Sequence, residues 1–151
     1  MSLSSTETAR EVLGVVPLVM CAVRSEMRRF RKGGVSVPQF RALGVVHRRP
    51  GVSLSDVAEH IGLTLPSMSR MIDGLVERKL MTRRHDPADR RRVTLEITAR
   101  GRGLWQSAYD FTEAALAARM STLAESERAA VSRAMLILQK LFTRGEAGDC
   151  R

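Results

Sequence analysis

Residues 53–102 read SLSDVAEHIGLTLPSMSRMIDGLVERKLMTRRHDPADRRRVTLEITARGR, and this stretch decides the fold. Ser53-Leu54-Ser55-Asp56 has capping-box spacing, with Asp where Glu or Gln is usual. Val57, Ala58 and Ile61 give the short helix behind it an apolar face, and Gly62 supplies a left-handed turn. Thr64 caps a second helix, with Pro66 in its first turn, where a missing N–H costs nothing. Met68, Met71, Ile72, Leu75 and Val76 recur along that helix at helical spacing and are expected to face the core. Leu65, Ser67, Ser69, Arg70 and Asp73 are left on the other side. Two short strands follow, Met81–Arg84 and Val93–Ile97. The second alternates Val93, Leu95 and Ile97 with Thr94 and Glu96, the period of a half-buried strand. Between them lies the loop His85-Asp86-Pro87-Ala88-Asp89-Arg90-Arg91-Arg92. A helix-turn-helix leading into an arginine-tipped hairpin is a winged helix.

Working outward, residues 6–31 are amphipathic and helical in pattern. Pro17 is expected to kink that helix or restart it, because it removes a donor and clashes with the preceding turn. Gly33-Gly34 is expected to end it. Ser36 caps the next helix, with Pro38 in its first turn and Phe40, Leu43, Val46 and His47 on one face. Beyond the hairpin, Thr98 caps a long helix running to about Met120, and a last helix covers about Glu125–Thr143. Val131, Met135, Leu138, Leu141 and Phe142 form a stripe along that last helix. The expected fold is mainly α with a small β-hairpin wing, a single domain over residues 1–151. A winged helix-turn-helix (about 36–101) is flanked by N- and C-terminal dimerisation helices (about 6–32 and 99–144). A chain of 151 residues is long enough to bury a core, and aromatics are only 4%, so Leu, Val, Ala and Met must do the packing. The terminal helices are long for a monomer, and a homodimer would bury both stripes.

The net charge is +9, and it is not spread evenly. Arg78, Lys79, Arg83, Arg84, Arg90, Arg91, Arg92, Arg100 and Arg102 face only Asp86, Asp89 and Glu96 within residues 78–102, whereas residues 104–151 are balanced. A solvated basic face is the plain reading. Clustering on the winged helix favours a polyanion, double-stranded DNA, with one helix in the major groove and an arginine in the adjacent minor groove. Strand alternation prevents Arg90, Arg91 and Arg92 from all facing one way; Arg91 is the choice for the minor groove. Two rival readings are a sequence-neutral architectural DNA binder and a protein-interaction module that no longer reads DNA.

Several classes are disfavoured. No run of about 18 apolar residues exists to cross a membrane. Met1-Ser2-Leu3 lacks the basic start of a secretory signal, and Cys21 and Cys150 have no CxxC or metal spacing, so the chain reads as cytoplasmic and reduced. Cys21 is expected to be a buried structural cysteine. His47, His60 and His85 share no metal spacing, and no Gly-rich phosphate loop follows a strand. Asp86 and Asp89 are surrounded by arginines, which suits charge pairing rather than proton transfer. The expectation is no enzyme, no cofactor and no metal.

"DVAEHIGLTLPSMSRMIDGLVERKL" leading into "RRHDPADRRRVTLEITARG" resembles the MarR (multiple antibiotic resistance regulator) family of bacterial transcription factors. The wing pattern D-P-x-D-R-R, followed by a strand, Thr98 and Gly101, is specific. The resemblance implies an α-helical dimer on a pseudo-palindromic operator, usually a repressor. Many members release DNA when a small aromatic or phenolic ligand binds between the dimer helices and the winged helix. It implies a recognition helix over about Leu65–Arg78 with Ser67, Ser69 and Arg70 facing DNA, Arg91 in the minor groove and Asp89 holding the wing's shape. Thr64 and Arg90 complete the candidate DNA-binding set. Arg24, Met27, Phe40, His47 and Trp105 lie where the implied effector pocket would be, with Met20 and Tyr109 nearby and Arg28 and Arg41 as further partners for an acidic ligand. Met and aromatic residues on helix faces are ordinarily plain core. The family commonly has Gly where Lys79 stands, so Lys79 must adopt a left-handed conformation or end the helix differently.

Overall fold

A computed structural model describes residues 4–30, 33–89 and 92–143. Among them the order is α1 (Ser5–Arg29), α2 (Val37–Arg48), β1 (Val52–Ser53), α3 (Leu54–Ile61), α4 (Leu65–Glu77), β2 (Met81–His85), β3 (Val93–Ile97), α5 (Ala99–Met120) and α6 (Glu125–Thr143). Side-chain caps start most of the helices. Ser4 and Glu7 form a reciprocal capping box on α1, and the Glu7 carboxyl is lowered below its ordinary value by the Ser4 backbone N–H and then by the Ser4 hydroxyl. Ser36 and Gln39 do the same for α2. Ser53 caps α3 by accepting from the Asp56 N–H at 3.0 Å, but only this half of the box forms, because the Asp side chain is one methylene shorter than Glu.

Two expectations change at the N-terminal end, and a third narrows: of the kink or restart expected at Pro17, the restart does not occur, since one helix runs through it. It stops at Arg29, where Phe30 turns into extended backbone, so Gly33 and Gly34 lie past its end, although both have positive φ (84° and 54°). Cys21 is exposed, not buried, because little of this one chain packs against α1 from Ser5 to Cys21, where only Val12 is half-buried.

The sheet has three strands in the order β1-β3-β2, all antiparallel, with Val52 opposite Leu95 and Met81 opposite Ile97. At two residues, β1 is too short to show alternation. The core gathers Phe40, Leu43 and Val46 of α2, Val57 of α3, and Met68, Ile72 and Leu75 of α4, closed by Leu80, Met81 and Leu95. Burial of that list drives the winged helix together, at roughly 1.5–3 kcal/mol for each large side chain.

Both helices of the helix-turn-helix end by the same device. After α3, Leu63 N–H bonds Ala58 O (3.0 Å) and Gly62 N–H bonds Glu59 O (3.1 Å), with Gly62 at φ 79°. After α4, Leu80 N–H bonds Leu75 O (2.9 Å) and Lys79 N–H bonds Val76 O (2.8 Å), with Lys79 at φ 58°. This is the Schellman pattern, completed by buried Leu80 beside buried Leu75. Of the two alternatives for Lys79, the left-handed one holds.

Thr98 then joins α4 to α5. Its hydroxyl donates to Lys79 O (2.7 Å) and accepts from Gly101 N–H (2.9 Å), while its N–H bonds Leu80 O (3.1 Å). Gly101 is obligatory here, since a Cβ would overlap the Leu80 carbonyl oxygen. On the other side of α5, the buried Glu26 carboxylate of α1 accepts from Arg29 (3.1 Å) and Arg119 (3.4 Å), pinning α1 to α5. α6 stands apart: of residues 125–142, only Leu138 is even half-buried.

Candidate nucleic-acid interface

The N-terminal half of α4 presents a polar, short-chain surface. Thr64 and Arg70 are exposed, and Ser67 and Ser69 are half-buried. Thr64 Oγ1 accepts from the Ser67 N–H (3.4 Å) and donates to Ser67 Oγ (3.0 Å), so these two hydroxyls form the cap as well as the surface. Arg70 makes no hydrogen bond or ion pair among the described residues, so its guanidinium is available to a ligand.

Ser69 is different. Arg83 Nη2 on β2 donates to both the Ser69 carbonyl (2.7 Å) and Ser69 Oγ (3.2 Å), and pairs with Asp73 Oδ1 at 3.0 Å. One arginine therefore fixes the helix to the first strand of the wing. Sequence reading missed it, although a signal was present: Arg83 lies two residues from buried Met81, so strand periodicity puts both on one face. A charge turned inward needs partners, and the nearest polar groups are on α4.

The wing closes through backbone bonds. Asp86 N–H bonds Arg92 O (3.0 Å), Arg92 N–H bonds Asp89 O (2.9 Å), and Asp86 Oδ1 accepts from Ala88 N–H (2.9 Å) in an Asx turn. Arg84 pairs with Glu96 across the strands at 3.1 Å. Arg90 and Arg91 lie outside the described residues. At the far end of α4, Arg78 donates to Gly34 O (3.1 Å), tying the helix to the loop before α2.

A second site adjoins this surface. A cleft of about 650 Å³ opens between α1, α2 and α5, and Arg24, Met27, Phe40 and Trp105 of the expected pocket all line it. His47 does not. It stacks on the Trp105 ring with centroids 4.3 Å apart, and its Nδ1 is buried without a partner. Arg28 is also absent from the lining, whereas Arg41, Arg48 and His60 are part of it. His60 belongs to α3, so the cleft touches the helix-turn-helix directly. Among the described residues no group of His, Cys, Asp and Glu is arranged to hold a metal, and no helix is long and apolar enough to cross a membrane.

The sequence model of the MarR family matches residues 33–92, from the loop before α2 to the tip of the wing. Over those residues the chain is similar to the MarR family. It is similar to YfiV of Bacillus subtilis, an HTH-type (helix-turn-helix) transcriptional regulator, at 25% identity over 91% of this chain and 86% of that one. The fold is that of RV1404 from Mycobacterium tuberculosis (TM-score 0.74, 22% identity, 99% of this chain and 100% of that one). It is also that of Streptococcus pneumoniae FabT, solved in complex with DNA (TM-score 0.64, 19% identity, 93% and 99%). The likeness in sequence is thus to the MarR family over the helix-turn-helix and wing, and to an HTH-type transcriptional regulator over most of the chain.

Proposed function

We propose that this chain is a MarR-family transcriptional regulator that acts as a homodimer on a pseudo-palindromic double-stranded DNA operator, as a repressor relieved by a small aromatic or phenolic ligand. The carrying observation is the Arg83 clip, which fixes one geometry between α4 and the wing, as reading two grooves at once requires. α4 lies in the major groove, where Arg70 contacts a base edge or phosphate and Thr64, Ser67 and Ser69 contact the backbone. Arg90 and Arg91 reach the minor groove, and Asp89 shapes the loop that carries them. The exposed apolar faces of α1 and α6 meet their counterparts in a second copy, which sets the two reading helices one turn of DNA apart, about 34–36 Å. Residues 1–151 work as one unit of reading head and dimerisation helices. The ligand occupies the cleft between α1, α2 and α5, where Arg24, Met27, Phe40 and Trp105 lie, with His47 supporting the Trp105 ring. It acts only as far as it binds the DNA-incompetent arrangement better.

The test is selection of random duplexes by the purified protein, followed by a salt titration of the winner. The expected result is an inverted repeat with half-sites about 10 bp apart, preferred over random duplex by on the order of 10³ or more. Steep salt dependence with no consensus would replace this reading with an architectural one, and no binding at low salt with a protein-interaction one. Arg70→Ala is expected to relax preference inside the half-site, and Arg91→Ala to weaken binding most where the flanks are A·T-rich, both read by binding curves on matched duplexes.

A further inference from the structure

The winged helix shows solvent two large apolar side chains, Leu63 (38% exposed) and Leu65 (48% exposed), one on each side of Thr64. Every other exposed large apolar residue among those described lies on α1, α5 or α6. Leu63 has a structural role by position: it precedes the Thr64 cap and stands five residues before buried Met68, the spacing of a hydrophobic staple. Leu65 has no such role. It is the first residue of α4, and Met68, Ile72 and Leu75 fill the core without it. The polar groups around it are engaged. The Thr64 and Ser67 hydroxyls bond each other at 3.0 Å, the Ser67 N–H is taken by Thr64 Oγ1, and Pro66 has no N–H. The leading turn of α4 is therefore poor in backbone donors for a phosphate, and Leu65 with exposed Pro66 gives it an apolar surface. Ser69 follows Leu65 by four residues on the same stripe of the helix, and Arg83 of β2 holds Ser69 by its carbonyl and its hydroxyl. The clip that sets α4 against the wing thus also sets the direction of the stripe on which Leu65 stands.

We propose that Leu65 reads thymine, one in each half-site, by packing on its C5 methyl in the major groove. This rests on the reading of α4 as the major-groove helix and gives that helix a base to recognise. In such a helix the N-terminal residues meet base edges. Thymine is the only one of the four bases to present a methyl group there. Leucine has neither donor nor acceptor, so it discriminates by burial alone, and one methyl-sized group taken out of water is worth about threefold to fivefold in affinity. A single exposed leucine is ordinary on a protein surface. This one stands on the leading end of the helix proposed to enter the groove, in a turn short of donors.

The experiment uses the full chain and the duplex obtained by the selection described above. Its thymines are replaced, one symmetric pair at a time, by deoxyuridine, which deletes the methyl and keeps the hydrogen bonds of the base pair. At one such pair the parent is expected to lose about threefold to fivefold in affinity per half-site, read by fluorescence anisotropy. Leu65→Ala is expected to bind the thymine and deoxyuridine forms of that pair within about twofold of each other. Leu65→Met keeps the apolar reach and is expected to retain most of the difference. Melting curves of both variants are expected to match the parent's, since the side chain lies outside the core. A consensus half-site with no thymine, or parent binding indifferent to the methyl at every thymine, overturns the role of Leu65 and leaves the operator reading standing. Full methyl dependence in Leu65→Ala does the same. A selection that returns no consensus overturns both readings.

Discussion

Lys79 is held at φ 58°, where a Cβ crowds the backbone, to complete the end of α4. Gly at that position would keep both closing bonds and relieve the strain. Lys79→Gly is expected to raise stability by about 1 kcal/mol, seen as a higher urea midpoint with unchanged slope. Gly101 is the reverse case. Gly101→Ala forces a methyl into the Leu80 carbonyl and is expected to destabilise by about 1–3 kcal/mol or more, measured the same way. The oddity at Lys79 was legible in sequence only through the family resemblance, which commonly has Gly there. The need for Gly101 was legible only as part of a pattern. Its cause is a carbonyl on another element, and local periodicity carries no information about that. Glu26 was missed for the same reason: its partner Arg119 lies ninety-three residues away.

Most helix bounds followed from caps and breakers, since Ser36, Ser53, Thr64, Thr98 and Gly62 act within a turn of where they stand. Elements that depend on distant partners were less legible. β1 exists only because β3 offers it a ladder, and its two residues carry no period of their own. Cys21 sits in an apolar run that reads as core, yet that run is uncovered within one chain, with Leu13 and Leu18 at 75% and 70% exposure. The polar face of α4 was legible as polar residues opposite an apolar stripe, but its attachment to the wing was not. Arg83→Met keeps most of the packing volume and cuts the three contacts to α4. It is expected to lower stability by about 1 kcal/mol, since the pair with Asp73 is partly solvated. Its larger effect falls on DNA affinity, by about 1–3 kcal/mol, the worth of one misplaced base contact. Binding isotherms beside melting curves separate the two.

At the scale of the whole molecule, the apolar surface left open is concentrated on the two terminal helices. Ile137 and Leu141 on α6 are 60% and 65% exposed, a display that soluble monomers seldom carry as a continuous stripe. Replacing both with Glu is expected to give a monomer by sedimentation, to abolish any dependence of melting temperature on protein concentration, and to remove the preference for inverted repeats. The junction built by Thr98 adds a mechanical consequence. The end of α4 and the start of α5 share one fixed point at the Leu80 carbonyl, and α4 extends thirteen residues from it, about 20 Å. Turning the two helices together by about 5° leaves that fulcrum in place and sweeps the far end of α4 through about 1.7 Å, over half the length of a hydrogen bond. The arm that spans the cleft and the arm proposed to face DNA are then one crowbar. A displacement too small to unpack α5 is magnified at the tip.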